Sequence, residues 1–149
     1  TELAEYQNLP LQIFRLSGIY SHESNVLKRL KSGDAKIIEK ENQFFSRIHV
    51  EDIAEILFKS LEKFKAKEIY NISDDRPAPS KEVILYGSKL LNIEPPTIVE
   101  LKSIENEMVI NFYKDSKKVN NKKMKEIFNY NLKYPTYVEG LNNIHNDLI

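Results

Sequence analysis

The sequence predicts an α/β protein that contains an incomplete parallel sheet followed by a small, mostly helical region. Two runs of β-favouring residues, Leu11–Leu16 and Glu68–Ile72, alternate with segments of helical periodicity, as in proteins with right-handed crossovers. Only these two runs are convincing strands, whereas sheets average about five or six strands. We therefore expect both strands to need partners that this chain does not supply.

The first predicted strand, Leu11–Leu16, is short and nearly continuously apolar, which suits a strand covered on both faces. It ends at Ser17-Gly18, where the backbone can turn. Ahead of it, Glu2–Gln7 is predicted to be the end of a helix. After the turn, helical spacing predicts a helix that ends near Gly33 and carries three apolar residues on one side, Val26, Leu27 and Leu30.

Residues 37–50 are predicted to be extended. Glu51 and Asp52 then occupy the first turn of a helix, where negative charge is favoured by about 0.3–1 kcal/mol. The apolar stripe of this helix has the 3.6-residue period and comprises Ile53, Ile56, Leu57, Leu61 and Phe64. After the second strand, a helix from near Ser80 places four apolar residues on one side, Val83, Tyr86, Leu90 and Leu91.

The composition changes at Pro95-Pro96, so we divide the chain into residues 1–94 and residues 95–149. The second region begins as a polar, lysine-rich segment, with a short helix predicted at Asn121–Phe128. Thr136 and Glu139 have the spacing of a capping box and predict the start of a last helix. The buried side of that helix is predicted to comprise Val138, Leu141, Ile144 and Leu148.

Composition excludes several classes of function. The chain has 22 Lys+Arg and 22 Asp+Glu, and this zero formal charge argues against a dedicated nucleic-acid binder. The absence of cysteine excludes thiol nucleophiles and Cys-ligated metals. No stretch approaches the roughly 20 apolar residues of a membrane span, so we expect no membrane partner and a cytoplasmic location. The basic cluster Lys117, Lys118, Lys122, Lys123 and Lys125 is interpreted as solvated surface.

Four local patterns carry the functional signal. They lie at Ile13–Tyr20, Phe45–Ala54, Tyr70–Asp75 and Pro135–Leu141. In this order and spacing they resemble the carboxyl-terminal half of extended short-chain dehydrogenases/reductases, the NAD-dependent epimerase/dehydratase group, and within it the bacterial sugar-epimerase-like oxidoreductases. The resemblance implies that residues 1–94 are the carboxyl-terminal part of a Rossmann-like NAD(P)-binding domain with inserted substrate-side segments. It implies that residues 95–149 are a mostly helical substrate-side region.

The number and spacing of the glycines indicate which part of the family pattern this chain lacks. The family, as the resemblance implies, binds NAD or NADP with a Gly-x-x-Gly-x-x-Gly turn, where backbone N–H groups reach the pyrophosphate. This chain has only four glycines, Gly18, Gly33, Gly87 and Gly140, and no two are close enough in sequence to form that turn. We therefore expect no cofactor to bind this chain alone, and we expect the turn in a missing amino-terminal half.

The acid/base pair of the family is a Tyr four residues before a Lys, in which the Lys lowers the pKa of the phenol. Tyr113 and Lys117 have this spacing. We reject them, because the family's pair precedes the strand matched by Leu11–Leu16, and chance spacing explains a pair this late in the chain. We assign no catalytic residue within this chain, and whether it counts as an enzyme is left open.

The resemblance implies cofactor-binding residues in the loop beside the nicotinamide, which are Leu16, Ser17, Gly18 and Ile19. It implies substrate binding by Tyr20, although Ser21-His22 replaces the Gly-Pro that commonly follows this tyrosine. Turn chemistry accounts for Asp74-Asp75 without a ligand.

Arg47 and His49 complete the candidate substrate-binding residues. Family members hold a diphosphate with an Arg at the position of Phe45, and we expect Arg47 to lie on the other face of the strand. This makes a nucleotide-diphosphate substrate less expected than a smaller sugar-like or polar one. Arg47 is equally well interpreted as a structural ion pair, and His49 as a helix cap. No metal is expected, because His22, His49 and His145 are far apart in sequence.

Two functions follow as hypotheses. The first is the carboxyl-terminal portion of an NAD(P)-dependent oxidoreductase that acts on a sugar-like or small polar carbonyl/alcohol substrate and is inactive alone. The second is a non-catalytic interaction module, or a half-enzyme, completed by a separate amino-terminal partner chain. Under both hypotheses the expected partners are a small-molecule substrate or the missing protein half, and nucleic acid is not an expected partner.

Overall fold

A computed structural model describes residues 9–147 of the chain. The predicted helix end at Glu2–Gln7 and the predicted core residue Leu148 lie outside this range. The described strands are β1 (Gln12–Leu16), β2 (Gly18–Tyr20), β3 (Ile37–Glu39), β4 (Arg47–His49), β5 (Glu68–Ile72) and β6 (Ile98–Glu100). The helices are α1 (Val26–Lys31), α2 (Val50–Glu62), α3 (Ser80–Leu91), α4 (Glu107–Phe112), α5 (Lys122–Phe128) and α6 (Tyr137–Asn146), with a 3₁₀ turn at Leu101–Ser103.

The strands form three parallel pairs, which confirms the α/β class with short parallel sheets. β1 pairs with β5 from Gln12 opposite Glu68 to Leu16 opposite Ile72. β2 pairs with β4, and β3 pairs with β6. Within the described residues each strand has one partner, so each leaves a second edge without a strand. The expectation of an incomplete sheet agrees with the observed topology, but the expectation that both predicted strands need partners from outside the chain is wrong, because β1 and β5 pair with each other.

Several elements differ from their prediction. Gly18–Tyr20 is the strand β2 rather than a loop, because the Gly18 N–H donates to Ser46 O at 3.1 Å and the segment pairs with β4. The extended stretch predicted for residues 37–50 contains β3 and β4, and α2 already begins at Val50. The strand β6 and the helix α4 lie in the segment for which no element was predicted. The division of the chain at residue 94 stays a prediction.

Two apolar cores hold these elements together. The first joins α1, α3 and α6 through residues such as Leu27, Ile84 and Ile144. The second lies between α2, β5 and α5, where Tyr70, Met124 and Phe128 are almost fully buried. The predicted helices at α3, α5 and α6 are confirmed, and α6 begins with the predicted capping box. The stripe of α2 is only partly covered, since Ile56 is buried while Leu61 is 76% exposed.

Asp52 ties the start of α2 to the segment before α6. Its Oδ1 accepts hydrogen bonds from the Tyr130 hydroxyl at 2.7 Å and from the Lys133 N–H at 2.6 Å, and its Oδ2 accepts one from the Tyr134 N–H at 3.1 Å. The residue is fully buried. A buried carboxylate with this many donors holds two distant segments in fixed positions. This agrees with its interpretation as a structural first-turn charge rather than a catalyst.

Candidate functional site

A large cavity lies at the carboxyl ends of β1 and β5, where ligands bind in open α/β sheets. Its volume is about 1310 Å³. Its walls come from β2, from the start of α1, from the segment before β4 and from the chain around α4. Six of the seven predicted site residues line it, namely Leu16, Ser17, Gly18, Ile19, Tyr20 and Arg47. His49 does not.

The four residues predicted to bind the cofactor form the junction between β1 and β2. The Ser17 N–H donates to Ile72 O at 3.0 Å, so the backbone here is held by β5. Leu16 is 46% exposed and Ile19 is 52% exposed. A Cβ on Gly18 would lie 3.3 Å from Ser46 O, which explains a glycine at this close backbone approach. The junction therefore presents two apolar side chains to the cavity from a fixed backbone.

Tyr20 lies deeper and is only 8% exposed. Its ring makes an edge-on contact with His49 at a centroid distance of 5.0 Å, and it packs directly against Gly140 of α6. The hydroxyl has no hydrogen-bond partner among the described residues. Burial raises the pKa of this phenol far above its usual value, so it stays neutral. The hydroxyl is buried against Gly140 of α6, while other atoms of Tyr20 line the cavity.

Arg47 is anchored by carbonyl groups and not by the predicted ion pair. Its Nη1 donates to Phe45 O at 2.8 Å and to Ala78 O at 3.0 Å. Burial lowers the pKa of the guanidinium, and the nearby Asp74 carboxyl opposes this effect. Phe45 and Arg47 both line the cavity, so the expectation that they occupy opposite faces is wrong. Residues two apart in an extended chain project to the same side.

His49 caps the helix α2, which is the alternative to substrate binding that the sequence indicated for this residue. Its side chain has no exposed surface, and its Nδ1 accepts a hydrogen bond from the Glu51 N–H at 3.3 Å. The ring packs against Tyr134 at a centroid distance of 4.2 Å. Burial lowers the pKa of the imidazole, which favours its neutral form. This geometry gives His49 a structural position behind Tyr20, and substrate contact by His49 has no support in it.

His22 and His49 are close in space although they are far apart in sequence, with ring centroids 6.0 Å apart. With Glu51 they offer three possible metal-ligand atoms within 4.8 Å of one another. His22 and Glu51 are already engaged, and His49 is engaged through Nδ1 while its buried Nε2 has no partner among the described residues. His22 Nε2 is 2.7 Å from Asp147 Oδ2, His49 caps α2, and Glu51 pairs with Lys133. The sequence argument from spacing missed this proximity.

Asp74 is the strongly perturbed acid near the cavity. It is 1% exposed, and one of its carboxyl oxygens, Oδ2, has no partner among the described residues. Burial raises its pKa to about 7, although the Arg76 N–H and the Arg47 charge act in the opposite direction. Asp74 lies directly after β5, and its own N–H donates to Arg47 O at 2.6 Å. The turn interpretation of this segment missed the buried carboxyl.

The segment around α4 forms a wall of the cavity that the sequence did not indicate. Phe112 stacks on Phe45 with ring centroids 4.4 Å apart and planes 7° apart. Tyr113 is buried and Lys117 pairs with Asp115 at 2.9 Å. Tyr113 follows α4 and Lys117 lies in a non-helical stretch, so the two do not share a helix face as the rejected acid/base pair would require.

The lysine cluster is mostly paired. Lys122, Lys123 and Lys125 lie near Glu126, Glu68 and Asp75 at 3.6, 2.5 and 2.9 Å. Lys118 lies over the Phe44 ring, 3.8 Å from its centroid. These contacts agree with a solvated, locally neutralised surface.

A nicotinamide cofactor, which the resemblance implies, fits these residues only at one end. The exposed Leu16 and Ile19 offer an apolar surface of the kind that a planar ring requires. Among residues 9–147, Gly18 is the only glycine that lines the cavity, and no glycine-rich turn is present to hold a pyrophosphate. The described residues therefore offer a surface for the reactive ring of the cofactor but no glycine-rich turn for its phosphates.

Comparisons with solved structures identify the fold. A conserved protein of unknown function from Silicibacter pomeroyi matches with a TM-score of 0.90 and 38% identity, over 98% of this chain and 54% of that one. The dTDP-glucose 4,6-dehydratase of Bacillus anthracis, solved with NAD, matches with a TM-score of 0.75 and 20% identity, over 97% of this chain and 46% of that one. The UDP-glucose 4-epimerase of Thermotoga maritima matches with a TM-score of 0.75 and 14% identity, over 99% of this chain and 48% of that one.

The fold is that of the carboxyl-terminal part of a Rossmann-like epimerase. The chain spans about half the length of each of these structures. No protein-family profile and no curated protein matches the sequence. Within residues 9–147, every helix is too short or too polar to cross a membrane.

Proposed function

We propose that this chain is the carboxyl-terminal, substrate-side portion of an NAD(P)-dependent oxidoreductase of the epimerase/dehydratase type. The observation that carries the proposal is the convergence of Leu16, Ser17, Gly18, Ile19, Tyr20 and Arg47 on one cavity at the strand ends. Structural neighbours solved with NAD or NADPH support the choice of cofactor. The substrate is a sugar-like or small polar molecule with a carbonyl or alcohol carbon.

In this proposal, bound NAD or NADP would provide the hydride acceptor or the hydride donor. The chain's own residues shape the reaction chamber. Leu16 and Ile19 exclude water from one side of the cavity by their exposed apolar surface. The Tyr20 side chain at the cavity wall and the anchored guanidinium of Arg47 contact and orient the substrate. The acid/base pair belongs to the amino-terminal half, so this chain alone has no activity.

The exposed surface supports the need for an amino-terminal half. A groove between β1 and α2 is lined almost entirely by apolar side chains. Among them Leu57, Phe58, Leu61 and Phe64 are 43%, 61%, 76% and 50% exposed. The side-chain amide of Gln12 in the same groove has no hydrogen-bond partner among the described residues. Large contiguous apolar patches mark interaction sites in proteins that fold in water.

Cofactor titration tests the proposal. Calorimetry or a thermal-shift assay is run with NAD and NADP on this chain alone and on its complex with the protein half encoded next to it. We expect binding by the complex and none by the chain. Micromolar binding by the chain alone would contradict the proposed division of the cofactor site, and a complex that binds neither cofactor would contradict the oxidoreductase function.

The exposed groove also favours a second candidate, a non-catalytic interaction module or half-enzyme completed by a separate partner chain. Native mass spectrometry after co-expression with adjacent reading frames separates the two. A stable 1:1 complex without oxidoreductase activity supports the module. A complex that oxidises or reduces a substrate with NAD(P) supports the enzyme.

A further inference from the structure

The cavity is strongly cationic although the whole chain has zero formal charge. Its acidic side chains are Asp34 and Asp115, and Asp115 is neutralised by Lys117 at 2.9 Å. Apart from Lys117, the cationic side chains of the cavity have no carboxylate within 4.0 Å among the described residues. They are Arg15, Arg29, Lys36, Arg47 and Lys118. Unpaired cations around a concave surface attract anions.

Arg47 has the geometry to bind an oxyanion. Both of its hydrogen bonds use Nη1, and both acceptors are neutral carbonyl oxygens, those of Phe45 and Ala78. These bonds fix the plane of the guanidinium and leave it without a carboxylate within 4.0 Å among the described residues, although the Asp74 carboxyl acts on its charge from a longer distance. Nη2 and Nε donate to no described residue, and the side chain lines the cavity. Two parallel N–H groups on one guanidinium edge match the two oxygens of a carboxylate.

The position of Arg47 limits the size of the molecule that carries the anion. In the pairing of β2 with β4, Arg47 lies directly opposite Gly18. Gly18 belongs to the junction that we propose lies beside the nicotinamide. An anion bound by Arg47 is therefore within one side chain's length of the reacting carbon, which suits a small acid. The stacked rings of Phe45 and Phe112 give the cavity an apolar wall beside Arg47.

We infer that the substrate is a small hydroxy acid or sugar acid, whose carboxylate is bound by the free edge of Arg47 with added attraction from Arg29. The inference rests on the proposed function for the position of the reacting carbon. Arg29 lies on α1, is exposed, lines the same cavity, and is close enough for its charge to act on Arg47. The cavity thus selects the substrate by charge as well as by shape.

The experiment compares two probes with one carbon skeleton. D-Gluconate carries a carboxylate where D-glucitol carries a neutral hydroxymethyl group. Calorimetric titration of the chain, without cofactor, is expected to show binding of gluconate at least tenfold tighter than binding of glucitol. Arg47→Gln and Arg29→Gln are each expected to weaken gluconate binding tenfold or more, because hydrogen bonds and contacts to a charged group are lost. Arg29→Gln changes an exposed residue, so it keeps the test decisive should Arg47→Gln fail to fold.

Lys28→Gln is the matched control, since Lys28 lies on the same helix as Arg29, pairs with Glu23 and is not part of the cavity. It is expected to bind gluconate like the parent chain. Equal binding of gluconate and glucitol, no binding of either, or phosphate binding as tight as gluconate overturns the inference. Tighter binding of UDP-glucose than of gluconate overturns it as well. Because these titrations contain no cofactor, they are read independently of whether the assembled protein binds NAD(P).

Discussion

Gly140 shows how one missing side chain positions the cavity wall. A Cβ at this residue would lie 2.1 Å from the Tyr20 hydroxyl and 2.6 and 2.7 Å from two ring carbons. Tyr20 is rigid and is confined on its other side by His49. The family resemblance marks Gly140 within a pattern, but only the packing explains why the position excludes a side chain.

We predict that Gly140→Ala lowers the free energy of unfolding by about 1–3 kcal/mol, as overpacking of a tight core does. The displaced Tyr20 also changes the cavity wall. Chemical denaturation measures the first effect. Asn146→Ala, an exposed substitution on the same helix, should leave the denaturation midpoint nearly unchanged. A Gly140→Ala protein as stable as the parent would show that Tyr20 is free to move.

Asp74 makes stability depend on pH. Its pKa is raised by burial to about 7 in the folded protein, against 3.8 for an unperturbed side chain. The folded state therefore holds the proton more tightly than the unfolded state. This contribution to stability is fully present below about pH 4 and is lost as pH rises to about 7.

We predict that Asp74→Asn makes the chain more stable than the parent at pH 8, by an amount on the order of a few kcal/mol. Between about pH 4 and pH 7, the stability of the variant should also fall less than that of the parent. The asparagine keeps an oxygen to accept the bond from the Arg76 N–H, which lies 3.2 Å from Asp74 Oδ1. Urea denaturation across this pH range measures the effect. Parallel pH profiles for parent and variant would contradict the proposed protonation of Asp74.

At the scale of elements, α6 illustrates a helix that local sequence determines. The Thr136 hydroxyl accepts a hydrogen bond from the Val138 N–H at 3.1 Å, and the Glu139 carboxylate accepts one from the Thr136 N–H at 2.9 Å. Together they form the capping box expected from spacing alone. The cap matters for the site because α6 carries Gly140 and the cavity residues Tyr137 and Leu141.

We predict that Thr136→Ala costs about 1 kcal/mol of stability, since it leaves a helix N–H without its partner. Thr136→Ser keeps the hydroxyl and should recover most of that loss. Thermal or urea denaturation of the three proteins measures the difference. Equal losses in the Ala and Ser variants would show that the methyl group, rather than the cap, stabilises the helix.

Other elements depended on pairing that spacing does not reveal. β6 contains only three residues, none of them fully buried, and it exists because it lies beside β3. The helix α4 has only six residues, none of them buried. Elements of this length carry too few residues for a periodicity to be recognised. Longer elements with clear signals, such as α3, β1 and β5, were predicted correctly.

At the scale of the whole molecule, the exposed face of α2 predicts assembly. Leu61 is 76% exposed, so Leu61→Gln should change the stability of this chain by less than about 0.5 kcal/mol. The same substitution should weaken a complex with the amino-terminal half, because it places an amide in an apolar contact. Native mass spectrometry of co-expressed chains measures complex formation.

Leu85→Gln is the matched control, since Leu85 is 40% exposed on α3 and lies outside the groove. It should leave the complex intact. If Leu61→Gln and Leu85→Gln act alike, the groove between β1 and α2 is not the contact surface.

The sequence by itself determined the α/β class, the main helices with their caps, and the position of its two clear strands, whereas the pairing of these strands with each other emerged only from the structure. These follow from local periodicity, capping residues and short apolar runs. Only the tertiary structure decided which side chains meet. It placed Arg47 and Arg29 in one cavity, buried His49 behind Tyr20, and buried the Asp74 carboxyl. Contacts between residues far apart in the chain arise when separate elements are packed together, and no local pattern records them.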